Sequence, residues 1–367
     1  MRDPRLSRHA DLLVGYCTAV QPGDYVVIFG NHVVRPLARE VYRAALAAGG
    51  NPEVLLLDRY LDEVKLKYGD EAQLDWASPT LAMVMDKADV LINIRGETNP
   101  SQFANTDSAR QARAHAADRP AIERYFKRIA AGELRWTITR YPTQAGAQTA
   151  EMSLYEYEDF VFGGCLLDEP DPQAAWLDLR RRQQRIVDWL AGKSMVVVKG
   201  DGVDLSLSIE GRKFINSDGR TNMPSGEVFT SPVEDSLNGR IRFSYPSYQA
   251  GRIIDGIELT FKDGRVVEAS ADRGGEFLKS QLDIDEGARI IAEFAIGTNY
   301  AISRVTGDTL FDEKVGGSIH LALGQGFPQA GGTNKSILHW DMVTDMRNDS
   351  RITVDGELLY ENGKFVI

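Results

Sequence analysis

The sequence predicts an N-terminal α/β domain, in which helices flank a parallel sheet, followed by a mixed, strand-rich α+β domain. In the first half, short apolar runs alternate with segments whose apolar residues recur at helical spacing, and this alternation favours a parallel sheet with helices on its faces. After Lys193 the chain changes to short strands separated by Gly, Asp and Asn turns. The length of 367 residues suits two cores of roughly 150 to 200 residues each. We therefore predict domains at 1–192 and 193–367.

The elements of the first domain follow in order along the chain. Strands are predicted at four apolar runs, which cover 24–30, 52–58, 88–96 and 134–142. Helices are predicted at 35–50, 153–165 and 171–192. The first of these helices ends in glycines, and the last begins with Asp-Pro and ends at glycine, which are helix stop and start patterns. A polar segment rich in Ala and Arg lies between the third and fourth strands.

The second domain is predicted from short strands alone. Five of them cover 195–200, 204–209, 240–246, 257–261 and 265–270. The C-terminal stretch "ITVDGELLYENGKFVI" (352–367) alternates strand residues with Asp-Gly and Asn-Gly turns, which is typical of hairpins.

Composition excludes several classes of protein. The formal charge of −11 disfavours nucleic acid and anionic membranes as partners. The N-terminus, "MRDPRLSRHADLL", carries charges throughout and lacks the apolar run of a signal peptide. No segment approaches the roughly 20 apolar residues of a membrane-spanning helix. The two cysteines, Cys17 and Cys165, form no CxxC pattern, which fits a reducing compartment. We predict a cytoplasmic protein with neither a nucleic acid nor a membrane as partner.

The turn after the first strand does not predict a nucleotide site. "IFGNH" (28–32) has one glycine, whereas a phosphate-binding loop needs the glycine spacing of GxGxxG or a GKS/T sequence.

Four short strings in the second half place titratable side chains in apolar surroundings. "SGEVFTSP" (225–232) contains Glu227, "IAEFAIGTN" (291–299) contains Glu293, "GGSIHLALG" (316–324) contains His320, and "LHWDMV" (338–343) contains His339 and Asp341. Side chains alternate along a strand, so His339 and Asp341 share one face while Leu338, Trp340 and Met342 share the other. A lone buried carboxylate costs several kcal/mol unless it is paired or bound to a metal.

Each of these residues also has a structural interpretation. His320 alone is more typical of a hydrogen-bonded core residue than of a ligand. Glu227 suits an exposed turn or a helix start, and Glu293 suits an ion pair with Arg289. Together, however, three carboxylates and two imidazoles form a ligand set for two divalent ions, with one carboxylate bridging metals about 3.5–4 Å apart. Zn, Co and Mn all accept such mixed nitrogen and oxygen ligands.

These strings, together with others spread along almost the whole chain, resemble the sequence of a known family. The chain resembles the metallo-aminopeptidase family that includes aminopeptidase T and aminopeptidase S, through "MRDPRLSRHADLLV", "QPGDYVVI", "EMSLYEYEDFVF", "SGEVFTSP", "EFAIGTN", "DEKVGGSIHLALG" and "SILHWDMV". The resemblance implies an N-terminal α/β domain, a C-terminal metal-binding catalytic domain and a homodimer. It also implies hydrolysis of N-terminal residues from peptides by a metal-activated water. The five family ligands fall on Glu227, Glu293, His320, His339 and Asp341, and Glu293 is implied to be catalytic.

The sequence departs from the family at one position. The family's catalytic tyrosine follows the first metal histidine as "HxAxGxxYP", whereas "HLALGQGFP" places Phe327 there. A donor to the oxyanion is worth about 2.7–4 kcal/mol in other hydrolases, so the missing hydroxyl bears on peptidase activity.

A different class of enzyme uses a related set of residues. The 2,5-dihydroxypyridine dioxygenases are similar to this family and use one Fe(II) on two histidines and a carboxylate. His320, His339 and Asp341 would form that triad. Because Glu227 and Glu293 are both present, the sequence favours the dinuclear hydrolase. A binding protein without enzymatic activity would need no such group of residues.

Overall fold

The chain divides into two units in a computed structural model, which describes residues 3–249 and 251–367. The first unit comprises the described residues up to Gln173 together with Gly219–Met223, and the second comprises Ala174–Asp218 and Pro224–Ile367. The predicted boundary at 192 lies further along the chain than the first of these divisions, after the helix that opens the second unit. It stays a prediction about where independent folding domains meet.

The helices occupy most of the first unit and little of the second. Within the described residues the α-helices are α1 (Pro4–Leu12), α2 (Arg35–Ala47), α3 (Arg59–Tyr68), α4 (Glu71–Leu74), α5 (Pro79–Lys87), α6 (Ser108–Ala117), α7 (Arg119–Ala130), α8 (Gln144–Thr149), α9 (Leu154–Gly164), α10 (Pro172–Leu190), α11 (Gly275–Leu282) and α12 (Thr309–Asp312). A π-helical turn covers Leu13–Cys17, and 3-10 turns cover His32–Val34 and Pro328–Ala330.

The strands are short throughout. They are β1 (Tyr25–Asn31), β2 (Asn51–Leu57), β3 (Val90–Arg95), β4 (Arg135–Arg140), β5 (Met195–Gly200), β6 (Val203–Ser208), β7 (Ile215–Ser217), β8 (Asn222–Met223), β9 (Glu227–Thr230), β10 (Asn238–Arg242), β11 (Ser247–Gln249), β12 (Arg252–Ile254), β13 (Glu258–Lys262), β14 (Arg265–Ser270), β15 (Ile291–Gly297), β16 (Ser318–Gly324), β17 (His339–Asp345), β18 (Arg351–Val354), β19 (Glu357–Glu361) and β20 (Lys364–Phe365).

The first unit contains a parallel sheet in the order β2-β1-β3-β4-β8. Each predicted strand of the first domain is present as β1, β2, β3 or β4. Helices α5 and α7 cover one face through an apolar cluster that includes Val27, Met85 and Leu91. The predicted helices begin as their sequences indicate: α2 has Pro36 in its first turn, and Ser153 and Glu156 form a capping box on α9.

The second unit contains two antiparallel sheets and a hairpin. One sheet has the order β14-β13-β10-β6-β5-β18-β19-β20, the other has the order β17-β16-β15-β9-β7, and β11 pairs with β12. A single buried cluster extends over both sheets and includes Val198, Leu259, Ile319 and Trp340. The predicted fold class, a parallel sheet with helices followed by a strand-rich unit, is confirmed. Among the residues that the structure describes, no helix is both long and apolar enough to cross a membrane.

Candidate metal centre

The five-stranded sheet of the second unit carries all five predicted ligands on four adjacent strands. Glu227 begins β9, Glu293 lies in β15, His320 lies in β16, and His339 and Asp341 lie in β17. Small residues stand opposite the large ones in the strand register: Ala322 pairs with both Glu293 and Asp341, and Ala295 pairs with His320. Because opposite residues share a face, these alanines leave room for the polar side chains to converge.

The side chains meet around Glu293. His320 Nε2 lies 3.5 Å from Glu293 Oε1, and His339 Nε2 lies 3.4 Å from Glu293 Oε2. Each histidine therefore faces a different oxygen of the same carboxylate. Glu227 Oε2 is 3.7 Å from His320 Nε2, and Asp341 Oδ1 is 3.5 Å from His339 Nε2. The residues form two overlapping groups that share Glu293, one with Glu227 and His320, the other with His339 and Asp341.

Several polar atoms of these side chains are buried without a hydrogen-bond partner in the described structure. They are Glu227 Oε2, both ring nitrogens of His320, and Asp341 Oδ1. An unpaired buried polar atom costs about 1–3 kcal/mol. Two of these atoms, Glu227 Oε2 and Asp341 Oδ1, lie 3.7 and 3.9 Å from His320 Nε2, so these three atoms would share one partner. Oxygen and imidazole nitrogen are the donors that Zn, Co and Mn accept, so the residues fit a divalent cation.

A backbone carbonyl fixes the orientation of the His339 ring. His339 Nδ1 lies 2.8 Å from the Gln325 carbonyl oxygen. Since a carbonyl only accepts, Nδ1 carries a proton and donates it, and Nε2 faces Glu293 and Asp341. Metal-binding histidines use the same arrangement to present the second ring nitrogen.

Two residues that the sequence analysis did not select lie at this cluster. Lys314, which is 1% exposed, places its ammonium 2.5 Å from Glu227 Oε1 and 2.6 Å from Glu313 Oε2. Both follow α12 in "DEKVGG", where adjacent opposite charges are typical of a solvated turn. Their closeness in sequence to His320 was the one available indication. Burial raises the pKa of the Glu313 carboxyl well above its usual range, although Lys314 opposes the shift.

The carboxylates shift the pKa values of both histidines upward. Burial lowers the pKa of His320, but Glu293, Glu227 and Asp341 outweigh it and raise the value to about 9. Burial acts in the same direction on His339, and Asp341 and Glu293 raise its pKa to about 12. Burial raises the pKa of Asp341, but the two histidines lower it below its usual range. The negative potential that holds these protons also attracts metal cations.

Phe327 lies beside the cluster rather than in the core. Its ring is T-shaped to the His339 ring with the centroids 5.1 Å apart, and it packs on Phe229 at 5.2 Å. Trp340 packs against Phe277 and donates its indole N–H to Ser247. The Tyr300 hydroxyl donates to the Gly363 carbonyl oxygen at 2.7 Å.

Arg289, which the sequence suggested as an ion-pair partner of Glu293, pairs instead with Asp283 at 2.7 Å. His9 is fully buried against Thr139, and burial lowers its pKa to about 3. His115 is exposed on α6.

Carboxylates and histidines that converge on one antiparallel sheet fit a metal centre, and comparison with known proteins identifies the class of protein. The model of the thermophilic metalloprotease (M29) family matches residues 2–365. The chain belongs to this family.

Relatives named aminopeptidases match over nearly their whole lengths. Aminopeptidase 2 of Geobacillus stearothermophilus is 29% identical over 96% of this chain and 91% of its own length. Aminopeptidase T of Thermus thermophilus is 28% identical over 98% of this chain and 95% of its own length. The solved structure of wild-type AmpT from Thermus thermophilus superimposes with a TM-score of 0.85 at 24% identity and covers 99% of both chains, which shows the fold.

The resemblance predicted from the sequence is thus confirmed. The protein is an enzyme of a metalloprotease family, and the family implies a divalent metal. No finding supports the dioxygenase alternative.

Proposed function

We propose that the protein is an aminopeptidase that removes N-terminal residues from peptides with two divalent ions held by Glu227, Glu293, His320, His339 and Asp341. The observation that carries this proposal is the position of Glu293, whose two oxygens face different histidines at 3.5 and 3.4 Å. A carboxylate in that position can bridge two ions, with Glu227 and His320 on one side and His339 and Asp341 on the other. The relatives named aminopeptidases support the substrate class.

The chain's own groups suggest how the reaction would be divided among them. When bound, a pair of divalent ions supplies a Lewis acid for the scissile carbonyl and lowers the pKa of an attacking water. Glu293 or a neighbouring carboxylate of the cluster would take up a proton at a carboxylate oxygen and deliver it to the leaving amine. Lys314 binds Glu227 Oε1, which leaves Glu227 Oε2 directed toward His320. The Gln325 carbonyl holds the His339 ring in place.

Phe327 lacks the hydroxyl that could donate a hydrogen bond to the oxyanion. Its ring lies against the ring of His339, at a place where a phenol would be able to donate to the oxyanion. Without that donor we expect slower peptide hydrolysis than in a protein that has it, by part of the roughly 10²–10³-fold effect of one oxyanion donor.

A direct assay separates the two enzymatic possibilities. The purified protein is stripped with EDTA, reloaded with Zn, Co or Mn, and assayed with amino-acid p-nitroanilides. The N-acetylated p-nitroanilides serve as matched controls, because an aminopeptidase requires the free amine. We expect about two ions per chain by plasma emission spectroscopy and turnover of the free amines alone. No turnover with any metal, together with oxygen uptake on dihydroxypyridines and Fe(II), would overturn the proposal in favour of the dioxygenase.

Two further properties belong to the proposal. A homodimer follows from the family resemblance, and sedimentation velocity at micromolar concentration tests it. A cytoplasmic location is consistent with two buried cysteines that form no disulfide, and fractionation of the source cells tests it.

A further inference from the structure

The parallel sheet of the first unit changes direction between two of its strands. The chain runs from β1 to β2 on one side, and then to β3 on the other side of β1, as the order β2-β1-β3-β4 records. In open parallel sheets, ligands bind in the crevice outside the carboxyl ends of the strands at such a switch point. A cavity of about 850 Å³ lies there, lined from β1, β3 and β4 and from helices α5 and α7. Its volume is in the range of small-molecule sites.

The side chains that line this cavity change from apolar to polar along the direction of the strands. Leu91 and Trp136 stand opposite one another in adjacent strands and form the apolar end. Two residues further along, Phe29, Asn93 and Ile138 form a mixed row.

At the carboxyl end the side chains on this face are polar. Arg95 pairs in register with Arg140, and Asn31 lies two residues beyond Phe29 on β1. A bound molecule would therefore place an apolar body inward and a polar group at the strand ends.

Two polar groups at this end of the cavity can bind a ligand, and the first is the side chain of Asn31. Asn31 is only 8% exposed, and its Oδ1 has no hydrogen-bond partner among the described residues. A buried acceptor in this state needs a donor from outside the protein.

The second group is a cation. Arg140 is held by Glu97 at 2.6 Å, whereas the exposed guanidinium of Arg95 makes no ion pair with any described residue. A guanidinium binds carboxylates with two parallel hydrogen bonds.

We propose that this crevice binds an α-carboxylate that carries a large apolar side chain, either a free amino acid or the C-terminal residue of a short peptide. The carboxylate lies on Arg95, the α-nitrogen donates to Asn31 Oδ1, and the side chain packs between Trp136 and Phe126. A nucleotide is disfavoured because the turn after β1 lacks a glycine-rich loop, and a fatty acid would leave Asn31 Oδ1 without a donor. The site goes beyond the proposed function and does not depend on a metal.

Binding is measured by calorimetry and by tryptophan fluorescence with the His339→Ala protein in EDTA, so that the candidate metal centre does not contribute. The probes are L-leucine, N-acetyl-L-leucine, glycyl-L-phenylalanine and L-leucinamide. We expect the carboxylates to bind and leucinamide to bind at least about tenfold more weakly, because it lacks the charge-assisted pair with Arg95. Equal binding of N-acetyl-leucine and the dipeptide identifies a peptide C-terminus, and binding of leucine alone identifies a free amino acid.

Three variants test the named residues. Arg95→Ala should weaken binding about 10- to 100-fold, while Arg119→Ala, another exposed arginine of the unit, should leave it unchanged. Asn31→Leu should weaken binding several-fold without lowering the melting temperature, because the carboxamide oxygen has no protein partner to lose. Phe126→Glu changes a 61% exposed side chain, so the fold tolerates it, and it should repel carboxylates.

Three results would overturn the proposal. One is the absence of binding by every probe, and another is equal binding of leucine and leucinamide. The third is dissociation of a dimer by Phe126→Glu without any probe bound, which would make the crevice a subunit interface.

Discussion

The ammonium of Lys314 lies 2.5 Å from Glu227 Oε1 in the interior of the second unit, where these two side chains are 1% and 5% exposed. Glu313 binds the same ammonium on its other side, at 2.6 Å. Burying charges is costly unless each has a partner, so Lys314 is the internal counter-ion of Glu227 at the candidate centre and donates a hydrogen bond to Glu313. It also determines which oxygen of Glu227 remains available to a cation.

Lys314→Met should destabilise the metal-free protein by about 3–5 kcal/mol, because it leaves the carboxylate of Glu227 buried without its counter-ion. The measurement is urea unfolding in EDTA. Added Zn or Co should recover part of the loss, since a cation again neutralises Glu227.

Two comparisons isolate this effect. Lys199→Met removes an exposed ion pair with Asp204 and should change the unfolding free energy by less than about 1 kcal/mol. The double variant Glu227→Gln with Lys314→Met should be more stable than Lys314→Met alone, because it removes the unpaired charge. If the single and double variants are equally unstable, Lys314 acts through packing and not through charge.

His339→Ala should lower the affinity for the metal by more than the roughly 10- to 100-fold that loss of an outer partner causes. The reason is that Nε2, directed to Glu293 and Asp341, would be a direct ligand. Equilibrium dialysis with Zn, followed by plasma emission spectroscopy, measures it. His115→Ala, an exposed histidine of the first unit, is the matched control, and equal metal content in both variants would remove His339 from the ligand set.

Phe327→Tyr should raise kcat for peptide or p-nitroanilide hydrolysis by about 10- to 100-fold at equal metal occupancy, by restoring a donor to the oxyanion. Phe229→Tyr is the control, because that ring also touches Phe327 but is not the position that departs from the family. If the Phe327 variant shows no increase, Phe327 is a pocket wall, and we would then seek a substrate other than a peptide.

The metal-free protein should lose stability between about pH 6.5 and 9. The pKa of His320 is raised in the folded state from 6.5 to about 9, so its protonation stabilises the fold fully below the unfolded value of 6.5. That contribution disappears as the pH rises through 9. Zn affinity should increase over the same interval, since protons compete for the ring nitrogen.

Urea unfolding in EDTA at pH 6, 7.5 and 9 measures the stability. His320→Gln should flatten this profile and His115→Gln should not. A wild-type profile that is already flat would contradict the assignment of the raised pKa to His320.

Local pattern was sufficient for much of the fold and for the choice of candidate ligands. The apolar runs that became β1, β3 and β15 are short and bounded by turn residues, and strand alternation alone placed His339 and Asp341 on one face. A polar residue inside an apolar run is unusual enough to be noticed without a structure, because its burial needs a partner. Glu227, Glu293 and His320 were selected in this way.

Only the tertiary structure shows which residues contact one another at the candidate metal centre and at the cavity of the first unit. Glu313 and Lys314 lie in a charged turn whose sequence is typical of solvent exposure, and only the packing of the second unit buries them against Glu227. Likewise, Asn31, Arg95 and Trp136 are 41 to 105 residues apart, and the strand order of the first unit gathers them around one cavity. The sequence by itself determined which side chains would be costly to bury. The tertiary structure alone decided which of them neutralise one another, because electrostatic pairing depends on distance through space and not along the chain.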